Sequence, residues 1–348
     1  MTRVLVCDDS ALMRRILGDL LTEAGMRVVG EASDGRQLLA KVRETRPDVV
    51  TLDVEMPQMD GISALRELMS KAPTPVVMIS SLTAQGARAT VQALAAGAVD
   101  AVQKPPLRAS PAAWAPIRDE LVGRVRAAAR ARVRPLGAGT RAGAATGRPG
   151  GALAARAAGA DAPLVVISTS TGGPRALAEV LTRLPSPLGA GVVIVQHMPV
   201  GFTASLAERL DVESALTVRE ARDRDPIRPD TALLAPAGHH LEIVPGRVRL
   251  SSAPPIGALR PRADVTLESA ARAYGRRVLS VVLTGMGNDA EKGTAAVKRA
   301  GGWALAEDER TCVVYGMPRA LVQAGLADAV VPLDAMPLAI VEAVARGR

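Results

Sequence analysis

The chain has 348 residues, of which 48% are hydrophobic and 1% aromatic, with a formal net charge of +8. That length and apolar content suit two globular domains with cores of Ala, Val, Leu, Ile and Met, and they exclude a disordered chain. Two cysteines, Cys7 and Cys312, exclude a disulfide framework, and Cys7 in a strand-like run reads as a small core residue.

The basic excess is local. Residues 124–160 hold eight arginines and no acid, and removing those eight from the 43 basic residues leaves 35 against 35 acidic ones. A solvated linker is the first reading, an acidic protein partner the second and nucleic acid the third. Met1-Thr-Arg-Val-Leu-Val lacks the basic segment and apolar core of a signal peptide. No run reaches the roughly 18 apolar residues of a membrane span, so a cytoplasmic protein is expected.

Strands and helices alternate through residues 1–133. Strands are predicted at Val4–Cys7, Arg27–Val29, Val49–Leu52, Pro75–Ile79 and Ala98–Val102. Helices are predicted at Ala11–Glu23, Gly35–Glu44, Gly61–Lys71, Ala84–Ala96 and Ser110–Arg132, the last opened by Ser110 and Pro111 as cap and first turn. This alternation implies a five-stranded parallel sheet. The strand ends carry Asp8 and Asp9, then Asp53, Ser80 and Lys104, which should converge at one edge. Crowded carboxylates call for a hard cation, and Mg²⁺ suits oxygen ligands. Ser80 and Lys104 would then hold an anion attached to Asp53.

These residues carry a resemblance. Asp8-Asp9, Asp53-Val-Glu-Met-Pro-Gln-Met-Asp-Gly61, Ser80 and Lys104-Pro105 follow the order and spacing of response-regulator receiver domains, whose fold is flavodoxin-like. The resemblance implies phosphorylation of Asp53 by a histidine kinase. It also implies Mg²⁺ held by Asp8, Asp9, Asp53 and the Glu55 carbonyl, with Ser80 and Lys104 as switch residues. Ala101 stands where many receivers have a Tyr or Phe.

Residues 134–162 are Gly/Ala/Arg-rich and lack apolar periodicity, which predicts a flexible tether. Beyond it, strands are predicted at Leu164–Ser168, Ala190–Gln196, Leu216–Glu220, Leu233–Ala235, Val278–Leu283 and Trp303–Ala306. A hairpin is expected from His240–Val244 and Arg247–Ser251 around Pro245-Gly246. Helices are expected after Gly173 and Thr203, and at Asp264–Tyr274, Glu291–Ala300, Ala320–Ala324 and Met336–Ala345. The expected architecture of residues 163–348 is a doubly wound, mostly parallel α/β fold with a hairpin.

Val165-Val-Ile-Ser-Thr-Ser170-Thr-Gly-Gly-Pro174 reads as strand, tight turn and helix start. On this segment alone, hydroxyls capping the helix are the simpler reading, and a nucleophilic Ser170 the second. Two further strand ends carry His197 and Asp289. His239 and His240 lie in a turn before the hairpin, which makes them poor candidates for a base. A serine, a base and an orienting acid at three ends of one sheet favour a triad, since triads are defined by geometry and not by chain order. Glycines beside Ser170 and Asp289 leave backbone N–H groups accessible to an oxyanion, with Thr171, Gly172 and Met286 lining the site.

Residues 163–345 resemble the catalytic domain of chemotaxis protein-glutamate methylesterases. The matching stretches include Ser170-Thr-Gly-Gly-Pro, Gln196-His-Met-Pro, Arg260-Pro-Arg-Ala-Asp264, Leu283-Thr-Gly-Met-Gly-Asn-Asp289 and Cys312-Val-Val-Tyr-Gly-Met-Pro-Arg319. Ser168 and Ala290 stand where glycines are common in the family. The resemblance implies hydrolysis of glutamate γ-methyl esters on chemoreceptors, and deamidation of certain glutamines. Ser170 would be nucleophile, His197 base then acid, and Asp289 orienter, with no metal in the hydrolysis. It implies a monomer that meets membranes only through receptors and does not bind nucleic acid. A receiver tethered to a hydrolase predicts docking over the cleft, released by phosphorylation. The alternatives are a phosphorylation-switched adaptor without chemistry, and an esterase serving receptors for another behaviour.

Overall fold

The computed structural model describes residues 1–81, 83–104, 111–133 and 162–346. The expected tether over 134–162 therefore lies outside the described residues except for Ala162, as do the Ser110 cap and Pro105.

The first sheet has order β2-β1-β3-β4-β5, built from β1 (Arg3–Cys7), β2 (Arg27–Ala32), β3 (Val49–Asp53), β4 (Val76–Ser80) and β5 (Asp100–Gln103). All pairings are parallel. Between them run α1 (Ala11–Glu23), α2 (Gly35–Thr45), α3 (Gly61–Lys71) and α4 (Ala84–Ala95), and α5 (Pro111–Ala128) follows. Side-chain caps start four of these helices, from Ser10, Asp34, Asp60 and Thr83. Each satisfies backbone N–H groups that would otherwise lack partners. The central strands β1, β3 and β4 are buried nearly throughout, as expected of a parallel sheet covered on both faces.

The second sheet has order β14-β13-β12-β6-β7-β9-β8. Its strands are β6 (Leu164–Thr169), β7 (Gly191–Gln196), β8 (Thr217–Glu220), β9 (Thr231–Leu234), β12 (Val278–Val282), β13 (Trp303–Glu307) and β14 (Ala329–Val331). All seven are parallel, while β10 (His240–Val244) and β11 (Arg247–Ser251) form a separate antiparallel hairpin. The helices are α6 (Gly173–Leu181), α7 (Thr203–Glu213), α8 (Ala263–Tyr274), α9 (Glu291–Arg299), α10 (Met317–Gln323) and α11 (Met336–Arg346). The chain runs outward from β6 on one side through β7 and on the other through β12. That makes β6 the switch point, where open α/β sheets form a crevice.

The sequence reading of both sheets is borne out, with three corrections. The edge strand β14 was not expected, nor the single 3₁₀ turn at Gly275–Arg277. The hydroxyls of residues 168–171 do not cap α6, whose N-cap is Gly172 at φ +81 with no side-chain hydrogen bond. His240 opens β10, as the expected hairpin strand His240–Val244 has it, so of the two histidines only His239 lies in the turn before the hairpin.

The two units are docked. Helix α4 packs against α6 and α7, and buried Val91 and Leu94 share one apolar cluster with Leu177, Leu206 and Leu210. No helix among the described residues is long and apolar enough to cross a membrane.

Candidate active site

Ser170, His197 and Asp289 follow β6, β7 and β12, three neighbouring strands at the switch point. Ser170 leaves β6 in a turn that only glycine fits. Gly172 has positive φ, and a Cβ there would lie 2.6 Å from Val313 Cβ; a Cβ on Gly173 would strike Gln196 Oε1. The turn is pinned from below. Ser170 N–H donates to Thr284 O (3.0 Å), Thr169 Oγ1 donates to the same carbonyl (2.8 Å), and Gln196 Nε2 donates to Ser170 O (2.9 Å). A Cβ at Gly285 would lie 2.8 Å from Ser170 Cβ, so the Thr284–Met286 strand end can approach the turn only because residue 285 is glycine.

His197 Nε2 lies 2.8 Å from Asp289 Oδ2, and both residues are buried. Asp289 also accepts N–H bonds from Ala263 (2.7 Å), Asp264 (3.0 Å) and Ala290 (2.9 Å). Two of these come from the first turn of α8, whose dipole favours an anion. Arg262 Nε lies 3.4 Å from Asp289 Oδ1. Burial alone would raise the Asp289 carboxyl, but His197 and the backbone N–H groups outweigh it and hold it down to about 2. The carboxylate thus fixes a proton on Nε2 and leaves Nδ1 as the free lone pair of the ring. No hydrogen bond joins the Ser170 hydroxyl to His197 in this docked arrangement.

Met286, next to Gly285, is half-exposed, and among the described residues its N–H makes no hydrogen bond. A cleft of about 990 Å³ opens next to it, between α5 and the 312–324 segment, with Arg126, Arg130, Met286, Tyr315 and Arg319 among its lining residues. Thr171 and Gly172 face the first sheet. Gly172 N–H donates to Val99 O (3.0 Å), and Thr171 Oγ1 donates to Asp100 Oδ2 (2.5 Å). Asp100 is also paired with Arg124, which Glu120 shares.

The second cluster has the opposite character. Oxygens of Asp8, Asp9 and Asp53 lie within 4.8 Å of one another. Lys104 Nζ is 2.7 Å from Asp53 Oδ2 and 2.9 Å from Asp8 Oδ2, the latter without hydrogen-bond geometry. Burial raises Asp53; the Lys104 hydrogen bond opposes this and the Asp8 charge adds to it, leaving the carboxyl at about 6. Three crowded carboxylates, one oxygen of them buried without a hydrogen bond, fit a hard divalent cation. Ser80 Oγ donates to Gly86 O (3.2 Å) and not to the acids. Ala101 is buried in β5. Asp100, Gln196, Thr284 and Glu307 were not foreseen as site residues; a carboxylate inside an apolar strand run was the available signal for Asp100, whereas Glu307 opens the charged run Glu307-Asp308-Glu309-Arg310 and carried none.

Comparison with known proteins gives these two regions their class. The family model for CheB methylesterase matches residues 165–340, and the response regulator receiver domain model matches residues 4–110. The chain belongs to the CheB methylesterase family, hydrolases that act on protein glutamate and glutamine side chains. It is 49% identical to the protein-glutamate methylesterase/protein-glutamine glutaminase of Symbiobacterium thermophilum, over 99% of this chain and 98% of that one. It is 46% identical to that of Geobacillus kaustophilus, over 98% of both chains. The crystal structure of the Thermotoga maritima CheB methylesterase catalytic domain matches 52% of this chain and 98% of its own, at 44% identity and a TM-score of 0.51.

Proposed function

We propose that the chain is a phosphorylation-activated esterase that hydrolyses glutamate γ-methyl esters, and deamidates certain glutamines, on methyl-accepting chemoreceptors, giving sensory adaptation. The observation that carries this reading is the buried His197–Asp289 pair set across the switch point from Ser170. Ser170 Oγ attacks the ester carbonyl as His197 Nδ1 takes its proton, the pair closing once substrate is bound. His197 returns the proton to the departing methanol, or to ammonia from a glutamine. Water then hydrolyses the acyl-serine by the same route. The free Met286 N–H is a donor for the oxyanion, and Asp289 holds the ring. This route needs no metal.

In the first unit, residues 1–133, Asp53 accepts a phosphoryl group from a histidine kinase. Asp8, Asp9, Asp53 and the Glu55 carbonyl would hold Mg²⁺, which neutralises the charge that develops in phosphoryl transfer. Lys104 and Ser80 contact the transferred group. Residues 134–162 tether this unit to the hydrolase, residues 163–348. In the unphosphorylated chain, Val99 O and Asp100 occupy Gly172 N–H and the Thr171 hydroxyl, beside the nucleophile. Phosphorylation releases that docking. We assign the protein to the cytoplasm, as a monomer that reaches membranes only through receptors and binds no nucleic acid.

The test is methanol release from methyl-labelled receptor membranes, for wild type and Ser170→Ala, with and without a small phosphodonor and Mg²⁺. Release that depends on Ser170 and rises with phosphodonor is the expected result. No release from any cognate receptor by the folded wild type would favour the adaptor reading. An unchanged rate on phosphorylation would remove the switch.

A further inference from the structure

Glu307 is the last residue of β13 and is fully buried. The mechanism above does not use it. Its surroundings do not neutralise it: among the described residues no ion pair reaches it, and its Oε1 has no hydrogen-bond partner. Burial pushes the carboxyl up to about 7, a rise that its hydrogen bonds offset only in part. A buried carboxyl with one oxygen unpartnered is costly, and only its other oxygen is engaged by the fold.

That oxygen, Oε2, accepts the N–H of Thr284 at 2.8 Å. The ladder between β12 and β13 ends at Val282–Ala306, so beyond that register the Thr284 N–H has no strand partner. The Glu307 side chain takes the place of one. Thr284 is in turn the support of the nucleophile turn. Its carbonyl accepts from both Ser170 N–H and Thr169 Oγ1. Its Oγ1 accepts from Val314 N–H (2.9 Å) and donates to Thr171 O (3.0 Å). Gly285, next along, touches Ser170 too closely for any side chain, and Met286 follows. A shift at Thr284 therefore moves the Ser170 backbone and the Met286 N–H together.

We infer that Glu307 is a positioning residue for the hydrolysis: through Thr284 it sets Ser170 and the 285–286 oxyanion segment in register with each other. It touches no reacting atom. This rests on the esterase reading above. Because the register matters to bond making and not to docking of a receptor helix, its loss acts on kcat and spares KM. Misplacement of about 1 Å costs on the order of 100-fold in rate.

The experiment uses the full-length, phosphodonor-activated chain carrying Glu307→Gln, Glu307→Leu or Glu307→Asp. It reads kcat and KM for methanol release, the rate of Ser170 sulfonylation by phenylmethylsulfonyl fluoride, and the thermal midpoint. Glu307→Leu should lower kcat about 10- to 100-fold with KM within about threefold, and slow sulfonylation in parallel. Glu307→Gln retains an acceptor oxygen at the same reach and should recover kcat to within about threefold of wild type. Glu307→Asp, one methylene short, should fall between them and serves if the leucine variant does not fold. A glutamine variant as slow as leucine, a loss carried by KM, or a folded leucine variant at wild-type rate would each overturn the assignment. Wild-type protein that is sulfonylated but releases no methanol would instead overturn the esterase reading, with Glu307 still judged by the labelling rates.

Discussion

Asp53, the last residue of β3, and Asp289, on the loop that follows β12, are both buried aspartates at the exits of parallel strands, yet their surroundings differ in opposite senses. Asp289 has its oxygens filled by one imidazole and three backbone N–H groups, and is held down at about 2. Asp53 shares a single lysine with Asp8 and is pushed up to about 6. A fully satisfied carboxylate is inert and orients its partner; an under-compensated one is receptive to a cation and a phosphoryl group. The same strand-end architecture yields either, according to whether N–H groups or further carboxylates face it.

The strongest way to break that contrast is Asp289→Asn. An amide there favours the wrong imidazole tautomer, and kcat should fall by about 10⁴-fold in a steady-state assay of methanol release. A loss below tenfold would mean that Asp289 does not orient His197.

Stability comes next, with opposite signs at the two sites. At pH 8, Asp289→Asn should destabilise by about 2 kcal/mol or more, and Asp53→Asn should stabilise by up to about 3 kcal/mol, both read by denaturant unfolding. The pH windows follow from the shifts. The raised Asp53 contributes stability below pH 4 that is lost as pH climbs to about 6. The lowered Asp289 contributes stability above pH 4 that is lost as pH falls towards about 2. Two variants of the same sign would dissolve the distinction.

A smaller effect sharpens the link between the sites. Asp100→Ala frees the Thr171 hydroxyl, and should raise the unphosphorylated rate about fivefold, on the order of 1 kcal/mol for one charge-assisted hydrogen bond. The ratio of rates with and without phosphodonor would show it. The smallest effect is at Ala290, which has φ +78 at the N-cap of α9. Glycine relieves the left-handed strain but loses a buried methyl, so Ala290→Gly should stay within about 1 kcal/mol of wild type in thermal unfolding. Ala290→Val should cost about 2 kcal/mol.

The fold was legible wherever apolar runs alternate with helical spacing, which covers both main sheets. β14 was not, because three residues at a half-exposed edge carry no readable alternation. Ser170, His197, Asp289 and the Asp53 cluster stood out because reactive types followed apolar runs. The hydroxyls at 168–171 misled, since a run rich in Ser and Thr before a helix also describes a cap. Asp100 and Glu307 stayed hidden because their partners, Thr171 and Thr284, belong to distant segments and no local pattern pairs them. Docking of the two units was expected from a tethered first unit, but its contacts, Val99 and Asp100 against Gly172 and Thr171, were beyond the sequence for the same reason.

Strand β6 lies between β7 and β12, and Asp289 follows Ser170 by 119 residues. During synthesis the nucleophile strand is made first in its sheet, yet its second flank arrives only after the hairpin and α8 have left the ribosome. Until then Ser170 lacks the Thr284 support, and His197 lacks its acid. A nascent or truncated chain carries Ser170 without these neighbours, so the proposed site is assembled in one late step, when the first unit, made earlier, is already complete.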